Sequence, residues 1–247
     1  MQIGLQLYTV RDDLAKDFKG TLRKVAEMGY KGVGYGAMGG MTPKEFGEFL
    51  DSIGLFPACA GVGVDTLEKD AAGYFAAQAG AGTPYVMLGS LPEVMRNSEN
   101  AWKTSAGKLN AWGKAAKAAG IAFHYHNHNM EFSKAGGRHG LDILLENTYA
   151  GLVKFQVDVG WVLAAGQDPV SWLKKMGRER LRTVHVKDCR RTPKLEWVEV
   201  GTGELDAKEV VKACNELGVE WGLVEQDTCA RPPLESAAIS AKYLLGL

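Results

Sequence analysis

Four side chains that bind metals or transfer protons follow apolar segments in the second half of the chain. They are Glu131, Asp158, His185 and Glu225, separated by 27, 27 and 40 residues. Within these segments polar residues alternate with apolar ones, so the ionisable side chains share one face. Three neighbouring carboxylates repel one another unless protons or a cation neutralise them. One imidazole with three carboxylates is a hard donor set, which favours Mn, Mg or Co over a thiolate-rich zinc site.

The elements that would position these residues alternate along the whole chain. Short apolar segments, typical of strands, are followed by longer amphipathic segments, typical of helices. The predicted strands span residues 3–7, 32–35, 55–60, 85–88, 121–126, 153–157, 181–186 and 222–225. The predicted helices span about residues 13–28, 43–53, 66–80, 98–119, 140–147, 169–176, 206–217 and 234–245.

This alternation predicts an α/β protein with eight strand–helix units in 247 residues. Strands that alternate with helices indicate a parallel sheet, and eight units predict a (β/α)8 TIM barrel. No linker or change of composition interrupts the chain, so we expect a single domain, 1–247. The alternative is a doubly wound open sheet, whose glycine-rich phosphate loop is absent after the first strand. In a barrel the active site lies at the carboxyl ends of the strands, where the four residues are placed.

The composition excludes several classes of protein. With 46% hydrophobic residues and 29 basic against 29 acidic residues, the chain is globular and has no charge excess for nucleic acid. No apolar run approaches the roughly 20 residues of a bilayer span, so we expect no membrane partner. The four cysteines form no Cys-x-x-Cys pair, and the chain opens without a leader pattern. We expect a cytoplasmic protein with reduced thiols.

The sequence resembles the xylose isomerase-like TIM barrel family, also described as sugar phosphate isomerase/epimerase or AP endonuclease family 2 barrels. The resemblance covers essentially the whole chain. It is carried by residues 5–11, 125–128, 131–132, 158–161, 185–188, 200–203 and 225–227. It implies one divalent metal ion, commonly Mn, with Mg, Co or Zn as alternatives, and the same four residues as its ligands.

The resemblance also implies an isomerase or epimerase of a sugar or keto-sugar. A metal ion that holds neighbouring carbonyl and hydroxyl oxygens acidifies the intervening C–H bond by stabilising an enediolate. Two carboxylates on opposite faces of the substrate then remove and return the proton. In this chain Glu131 and Glu225 would have that catalytic role.

Three further residues are expected to contact the substrate. Lys187 would hold a substrate oxygen, although a salt bridge with Asp188 or another acid at the rim is the alternative. His126 would hydrogen-bond a sugar hydroxyl or donate a proton, unless it is a packed core residue. Trp161 would form an apolar wall for a sugar ring, unless it serves packing alone.

Two other functions stay open. The same proton abstraction leads to elimination when a leaving group is adjacent, so a metal-dependent dehydratase or lyase on an inosose or 3-keto-sugar is the first alternative. A non-catalytic sugar-binding subunit is the second, because Gly34 and Gly61 stand where many relatives carry an acid and a histidine. Those two glycines and the zero net charge also disfavour a three-zinc nuclease.

The expected partner is a small-molecule carbohydrate. Glu204 follows the Gly-Thr-Gly loop after the seventh strand and would repel an anion, so we expect an unphosphorylated sugar or polyol ketone. The charged segment 189–197 is predicted to be a lid or a contact in an oligomer. A homo-dimer or homo-tetramer would follow the habit of the family.

Overall fold

A computed structural model describes all 247 residues. Eight parallel strands close into a barrel in which each strand pairs with the next along the chain and the first pairs with the eighth. These strands, numbered here from first to eighth, are Gln2–Gln6, Gly32–Tyr35, Phe56–Val62, Tyr85–Leu88, Ala122–His126, Val153–Asp158, Leu181–Val186 and Trp221–Val224. The predicted (β/α)8 barrel is confirmed, and every predicted strand agrees within two residues at either end.

Helices surround the barrel, and their buried faces join the strands in a core of 57 residues. The α-helices are Arg11–Lys16, Phe18–Glu27, Pro43–Ser52, Val64–Gly80, Glu99–Ala118, Gly140–Asn147, Val159–Ala164, Pro169–Met176, Ala207–Leu217 and Pro233–Leu244. Two short antiparallel hairpins lie outside the barrel sheet: Lys134–Ala135 with Arg138–His139, and Asp188–Arg190 with Glu196–Val198. None of the helices has the length and apolar character needed to cross a membrane.

Two aspartates interrupt helices that the periodicity predicts to be continuous. The predicted helix 13–28 is split at Asp17, whose extended backbone and side chain start a new helix by accepting a hydrogen bond from the Gly20 amide at 2.9 Å. Asp70 bends the helix Val64–Gly80 in the same way and accepts from the Gly73 amide at 2.8 Å. Both side chains compete for backbone amides, which an apolar pattern does not reveal.

The inside of the barrel is partly polar. A small apolar cluster that includes Cys59, Tyr85 and Leu223 fills only part of it. His124 is completely buried there, with its ring 5.1 Å from the ring of Tyr85, and neither imidazole nitrogen has a hydrogen-bond partner. Burial, with repulsion from Lys154 and Arg182, lowers the pKa of His124 to about 3. The ring is therefore neutral in the folded protein.

Replacing His124 with Leu is expected to stabilise the barrel and to reduce its sensitivity to acid. At pH 7 the variant removes two buried polar atoms that have no partners, for a gain of about 1–3 kcal/mol. Below pH 6.5 His124 is protonated in the unfolded wild-type chain, whereas in the folded protein it stays neutral down to about pH 3. The unfolding free energy of the wild type therefore falls with pH across that window.

When the pH is lowered from 7 to 5, the unfolding free energy of the wild type should therefore fall by about 2 kcal/mol more than that of His124→Leu. Urea unfolding of both proteins at the two pH values measures the difference. An identical pH dependence in the two proteins would show that His124 is protonated, or hydrated, within the fold.

Candidate active site

Four buried side chains converge at the carboxyl ends of the last four barrel strands. His126, Asp158, His185 and Glu225 each offer one ligand atom, and these atoms lie within 4.8 Å of one another. His126 and Asp158 end the fifth and sixth strands, and His185 lies one residue before the end of the seventh. Glu225 follows the eighth strand directly. We call these four residues the polar cluster.

Hydrogen bonds fix three members of the polar cluster. Asp158 uses Oδ1 to accept from the Trp161 amide at 2.8 Å, which starts the helix Val159–Ala164 and leaves Oδ2 facing the other members. This short helix is absent from the elements predicted by periodicity. The ring of His185 has Nδ1 at 3.0 Å from Glu225 Oε2, and its Nε2 lies 3.5 Å from the side-chain amide of Gln6.

A buried ammonium group lies beside the carboxylates. Lys187 is fully buried, and its Nζ lies 3.1 Å from Asp158 Oδ2, 2.7 Å from Glu225 Oε2 and 3.0 Å from Asp227 Oδ2. Burial opposes its charge, but the three carboxylates outweigh burial and hold the pKa of Lys187 above its usual value. The alternative partner expected from the sequence, Asp188, forms no ion pair with it, because that carboxylate binds backbone amides instead.

Removing this ammonium is expected to destabilise the protein when no metal ion is present. Lys187→Met leaves Asp158 and Glu225 buried without a cation, which costs about 3–5 kcal/mol. Lys154→Met is the matched control, because Lys154 donates only to the Glu179 carbonyl, at 2.6 Å. Urea unfolding in a chelator compares the two variants, and equal stability would contradict the role of Lys187. Added Mn²⁺ should recover part of the loss in Lys187→Met alone.

The polar cluster contains one neutral and one charged imidazole in the protein alone. Burial, with repulsion from His185 and His128, lowers the pKa of His126 well below its usual value. For His185, burial is outweighed by the neighbouring Glu225 and Asp158 carboxylates, which raise its pKa to about 9. Burial would raise the pKa of Asp158, but Lys187 and His185 lower it to about 2. A metal ion bound here would displace the His185 proton.

The donor set fits one divalent metal ion. His126 Nδ1 is buried without a hydrogen-bond partner, as is Nδ1 of the adjacent His128, and Asp158 Oδ2 is held by its ion pair with Lys187. Ligand atoms about 2.1 Å from a shared ion lie up to about 4.2 Å apart, close to the 4.8 Å limit found here. Two imidazoles with two carboxylates form a mixed nitrogen and oxygen set that Mn, Co or Zn accepts.

Glu131 does not belong to the polar cluster, so the structure brings together three of the four ligands predicted from the sequence. Its carboxylate is fully buried and accepts from the Tyr125 hydroxyl at 2.6 Å and from the His128 amide at 2.7 Å. The fifth strand ends at His126, and the short helical turn Met130–Phe132 then directs Glu131 toward Tyr125, whose side chain packs with the helices. The catalytic role expected for Glu131 loses its geometric basis.

His126, rather than Glu131, lies close to Asp158, His185 and Glu225 in the structure. The signal for it was present in the sequence, because strict alternation along the fifth strand puts His126 on the inward face. Gln6, which contacts His185, was not singled out at all. It lies on the inward face of the first strand, and a Cβ at Gly34 would lie only 2.9 Å from its Nε2. Gly34 therefore makes room for Gln6 rather than widening the site.

The polar cluster opens into a cavity of about 580 Å³ at the carboxyl ends of the strands. His126, His128, Glu225 and Asp227 line its polar side. Lys187 and Trp161 are not among its lining residues. Trp161 lies edge-on to Trp197 with ring centres 4.5 Å apart, and Lys187 Nζ is 5.3 Å from the Trp161 ring and 4.8 Å from the Trp197 ring. The two indoles thus cover the ammonium.

The loop after the seventh strand is fastened by one buried carboxylate. Asp188 Oδ1 accepts from the amides of Cys189 at 2.8 Å and Leu205 at 2.9 Å, and Oδ2 accepts from those of Gly201 at 3.0 Å and Gly203 at 2.9 Å. We call this arrangement the Asp188 staple. It binds Cys189, the first residue of the segment 189–197 predicted to be a lid or an oligomer contact, and residues 201–205, which follow that segment.

Comparison with known proteins finds relatives that are named inosose dehydratase. A protein named inosose dehydratase from Clostridium tetani (strain Massachusetts / E88) is 31% identical over 166 residues, which are 60% of this chain and 55% of that protein. An inosose dehydratase from Clostridium perfringens is 30% identical over the same shares of both chains. The chain thus spans about half the length of the curated relatives that it matches.

Solved structures match over the full length. A sugar phosphate isomerase/epimerase from Parabacteroides distasonis ATCC 8503 has 26% identity and a TM-score of 0.87, covering 100% of this chain and 98% of that one. The IolI protein, solved with a bound zinc atom, has 14% identity and a TM-score of 0.81 over 100% and 97% of the two chains. At that identity the likeness to IolI shows the fold alone.

A family model matches a larger part of the sequence than the inosose dehydratases do. The model described as xylose isomerase-like TIM barrel matches residues 22–245, which is most of the chain. The resemblance carried by short segments is therefore confirmed, and the closed eight-stranded barrel agrees with it. The chain belongs to the xylose isomerase-like TIM barrel family.

Proposed function

We propose that this protein is a metal-dependent lyase that removes water from a keto-polyol of the inosose type. The observation that carries the proposal is the polar cluster, with two imidazoles and two carboxylates gathered at the base of a cavity. The relatives named inosose dehydratase favour elimination over the isomerisation or epimerisation expected from the sequence.

In this proposal His126, Asp158, His185 and Glu225 hold one divalent ion, with Mn, Co and Zn as the candidates. When bound, the ion would supply positive charge to the carbonyl and hydroxyl oxygens of the substrate and so acidify the C–H bond beside the carbonyl. Gln6 lies 3.5 Å from Nε2 of His185 and would orient the imidazole, which leaves Nδ1, on the side of Glu225, as the nitrogen that would hold the ion. Lys187 provides a fixed positive charge at the edge of the same site.

Two further cavity residues are positioned to move protons. His128 lines the cavity from the fifth strand side, and its Nδ1 is buried without a partner. Asp227 lines it from the eighth strand side, three strands away around the barrel. We assign to His128 the removal of the proton beside the carbonyl and to Asp227, in its protonated form, the donation of a proton to the departing hydroxyl, which leaves as water. Burial raises the pKa of Asp227 above its usual value, although Lys187 opposes this effect. A carbon–carbon double bond forms between the two carbons.

Isomerisation or epimerisation is the second candidate, because the Parabacteroides distasonis protein of that description aligns over the whole chain. Both reactions begin with the same proton abstraction. They differ in the next event: a lyase expels the neighbouring hydroxyl, whereas an isomerase or epimerase returns a proton to carbon. The products therefore separate the two candidates.

The test follows the Mn²⁺-loaded protein with an inosose in deuterated water. We expect loss of one water, seen as ultraviolet absorbance of the unsaturated ketone and as a mass change of about 18. His128→Gln is expected to lower kcat about 100-fold or more, because general base catalysis contributes at least that factor. Deuterium incorporation without water loss would favour the isomerase or epimerase. Neither deuterium nor product from inososes and free ketoses would contradict both candidates.

A further inference from the structure

The cavity is larger than a single polyol ring requires. A cyclitol has about a dozen heavy atoms, and at the volume of one liquid water molecule per atom, about 30 Å³, it fills at most about 360 Å³. The cavity measures about 580 Å³. At least a third of the space therefore lies beyond a ring bound at the polar cluster.

The extra space has an apolar wall. Leu14 and Phe18, from the two helices after the first strand, form part of it, together with Tyr8 and Met87. We call the space beside these residues the apolar half of the cavity. A polyol ring carries hydroxyl groups around its whole circumference, and those facing this wall would lose their water without gaining partners. The apolar half therefore suits a different chemical group.

Glycines create the apolar half. Gly36, Gly61 and Gly89 line the cavity at the ends of the second, third and fourth strands. A Cβ atom at Gly36 would meet no other atom within 4 Å, so open space begins at the backbone. The strands that carry the polar cluster and the strands that end in these glycines lie on opposite sides of the cavity.

The rim of the apolar half offers an aromatic platform. The Tyr8 side chain is 51% exposed, although it is a large hydrophobic residue beside a cavity. Arg11 stacks on one face of its ring at 4.2 Å and is fixed by hydrogen bonds to the carbonyls of Tyr8 at 2.8 Å and Asp227 at 3.1 Å. Exposed, immobilised aromatic rings pair favourably with a flat aromatic partner.

We propose that the substrate is a keto-sugar that carries an aromatic substituent through an oxygen atom, with the aromatic ring bound in the apolar half. This inference rests on the proposed lyase function, keeps its proton abstraction and elimination, and replaces the departing hydroxyl with an aryloxy group. The C–H bond beside the carbonyl breaks, and its proton goes to the base. The electron pair forms a carbon–carbon double bond, the bond from carbon to the aryl oxygen breaks, and that oxygen is protonated to release a phenol. No oxidant or reductant takes part, and an earlier oxidation of a ring hydroxyl must supply the ketone.

The binding test compares phenyl β-glucopyranoside with methyl β-glucopyranoside on the metal-loaded protein by calorimetry. Burying a phenyl group removes roughly 100 Å² more apolar surface than a methyl group, which corresponds to about 50-fold tighter binding. Gly36→Leu places a side chain in the apolar half and is expected to reduce the preference to about threefold or less. Gly107→Leu is the matched control, because Gly107 is exposed on a helix and its Cβ would also meet no atom within 4 Å.

A turnover test separates this inference from the lyase proposal. The probe is 4-nitrophenyl β-glucopyranoside oxidised to a ketone at carbon 3, and release of 4-nitrophenolate is followed against a Glu225→Gln control. Aromatic preference together with release supports the inference. Equal binding of phenyl and methyl glucosides overturns it, as does a preference that survives Gly36→Leu. Dehydration of an inosose without nitrophenolate release overturns the assignment of the leaving group. Tighter binding of the phenyl glucoside without inosose dehydration or nitrophenolate release supports the aromatic binding site and contradicts the lyase proposal.

Discussion

Glu225→Gln is expected to weaken divalent-metal binding about 100-fold or more and to abolish turnover. Mutating a residue that only hydrogen-bonds to a metal ligand lowers metal affinity about 10–100-fold. Removing the charge of a ligand itself should therefore lower the affinity at least as much. Glu225 also lies 3.0 Å from His185 Nδ1 and 2.7 Å from Lys187 Nζ, so the substitution disturbs both neighbours. Calorimetric titration with Mn²⁺ and metal analysis of the purified variant measure the effect.

Glu131→Gln is the matched control, because it makes the same chemical change in another fully buried glutamate. Its carboxylate contacts Tyr125 and the His128 amide and lies outside the polar cluster. We expect metal affinity within about threefold of the wild type. The reverse result, with metal lost in Glu131→Gln and retained in Glu225→Gln, would restore the ligand set inferred from the sequence and contradict the geometry of the polar cluster.

Asp188→Asn is expected to lower the unfolding free energy by about 3 kcal/mol. The Asp188 staple receives four backbone amides on two oxygen atoms. In the variant the amide nitrogen faces two of these donors, so two buried N–H groups lose their acceptor at about 1–3 kcal/mol each. Urea unfolding measures the stability, and hydrogen exchange at Gly201 and Gly203 reports on the loop itself.

Asp168→Asn serves as the control for that substitution. Asp168 caps the helix Pro169–Met176 by accepting from the Val170 and Ser171 amides, both at 3.2 Å, in an exposed position. Asparagine is about as good at the start of a helix as aspartate, so we expect a change below about 0.5 kcal/mol. If Asp188→Asn were no more damaging than this control, the staple would not be what organises the loop.

The barrel and most of its site follow from periodicity in the sequence. Each inward position on the sixth and seventh strands alternates with apolar residues that pack under helices, and this alternation alone is enough to identify Asp158 and His185. Glu225 follows from the same argument at the end of the eighth strand. A side chain within a regular strand has only two faces available, so the apolar face of the strand determines where the polar residues point.

The features that periodicity does not predict concern residues beyond regular strands or inside helices. Glu131 lies five residues after His126, and a turn between them redirects the chain in a way that no alternation records. The breaks at Asp17 and Asp70 depend on local competition for backbone amides. The position of Lys187 depends on three carboxylates from two other strand ends, and such long-range pairing is visible only once the barrel is closed.

The division of the barrel opening has a consequence for how this protein can evolve. The polar cluster lies at the ends of the fifth to eighth strands, whereas Gly36, Gly61 and Gly89 lie at the ends of the second to fourth strands. A mutation at one of these glycines changes the shape of the apolar half of the cavity and leaves the polar cluster on the opposite side unchanged. Selection can therefore change which molecules the cavity binds while the residues of the polar cluster stay the same. A single glycine codon changed to serine or alanine suffices to begin such a departure.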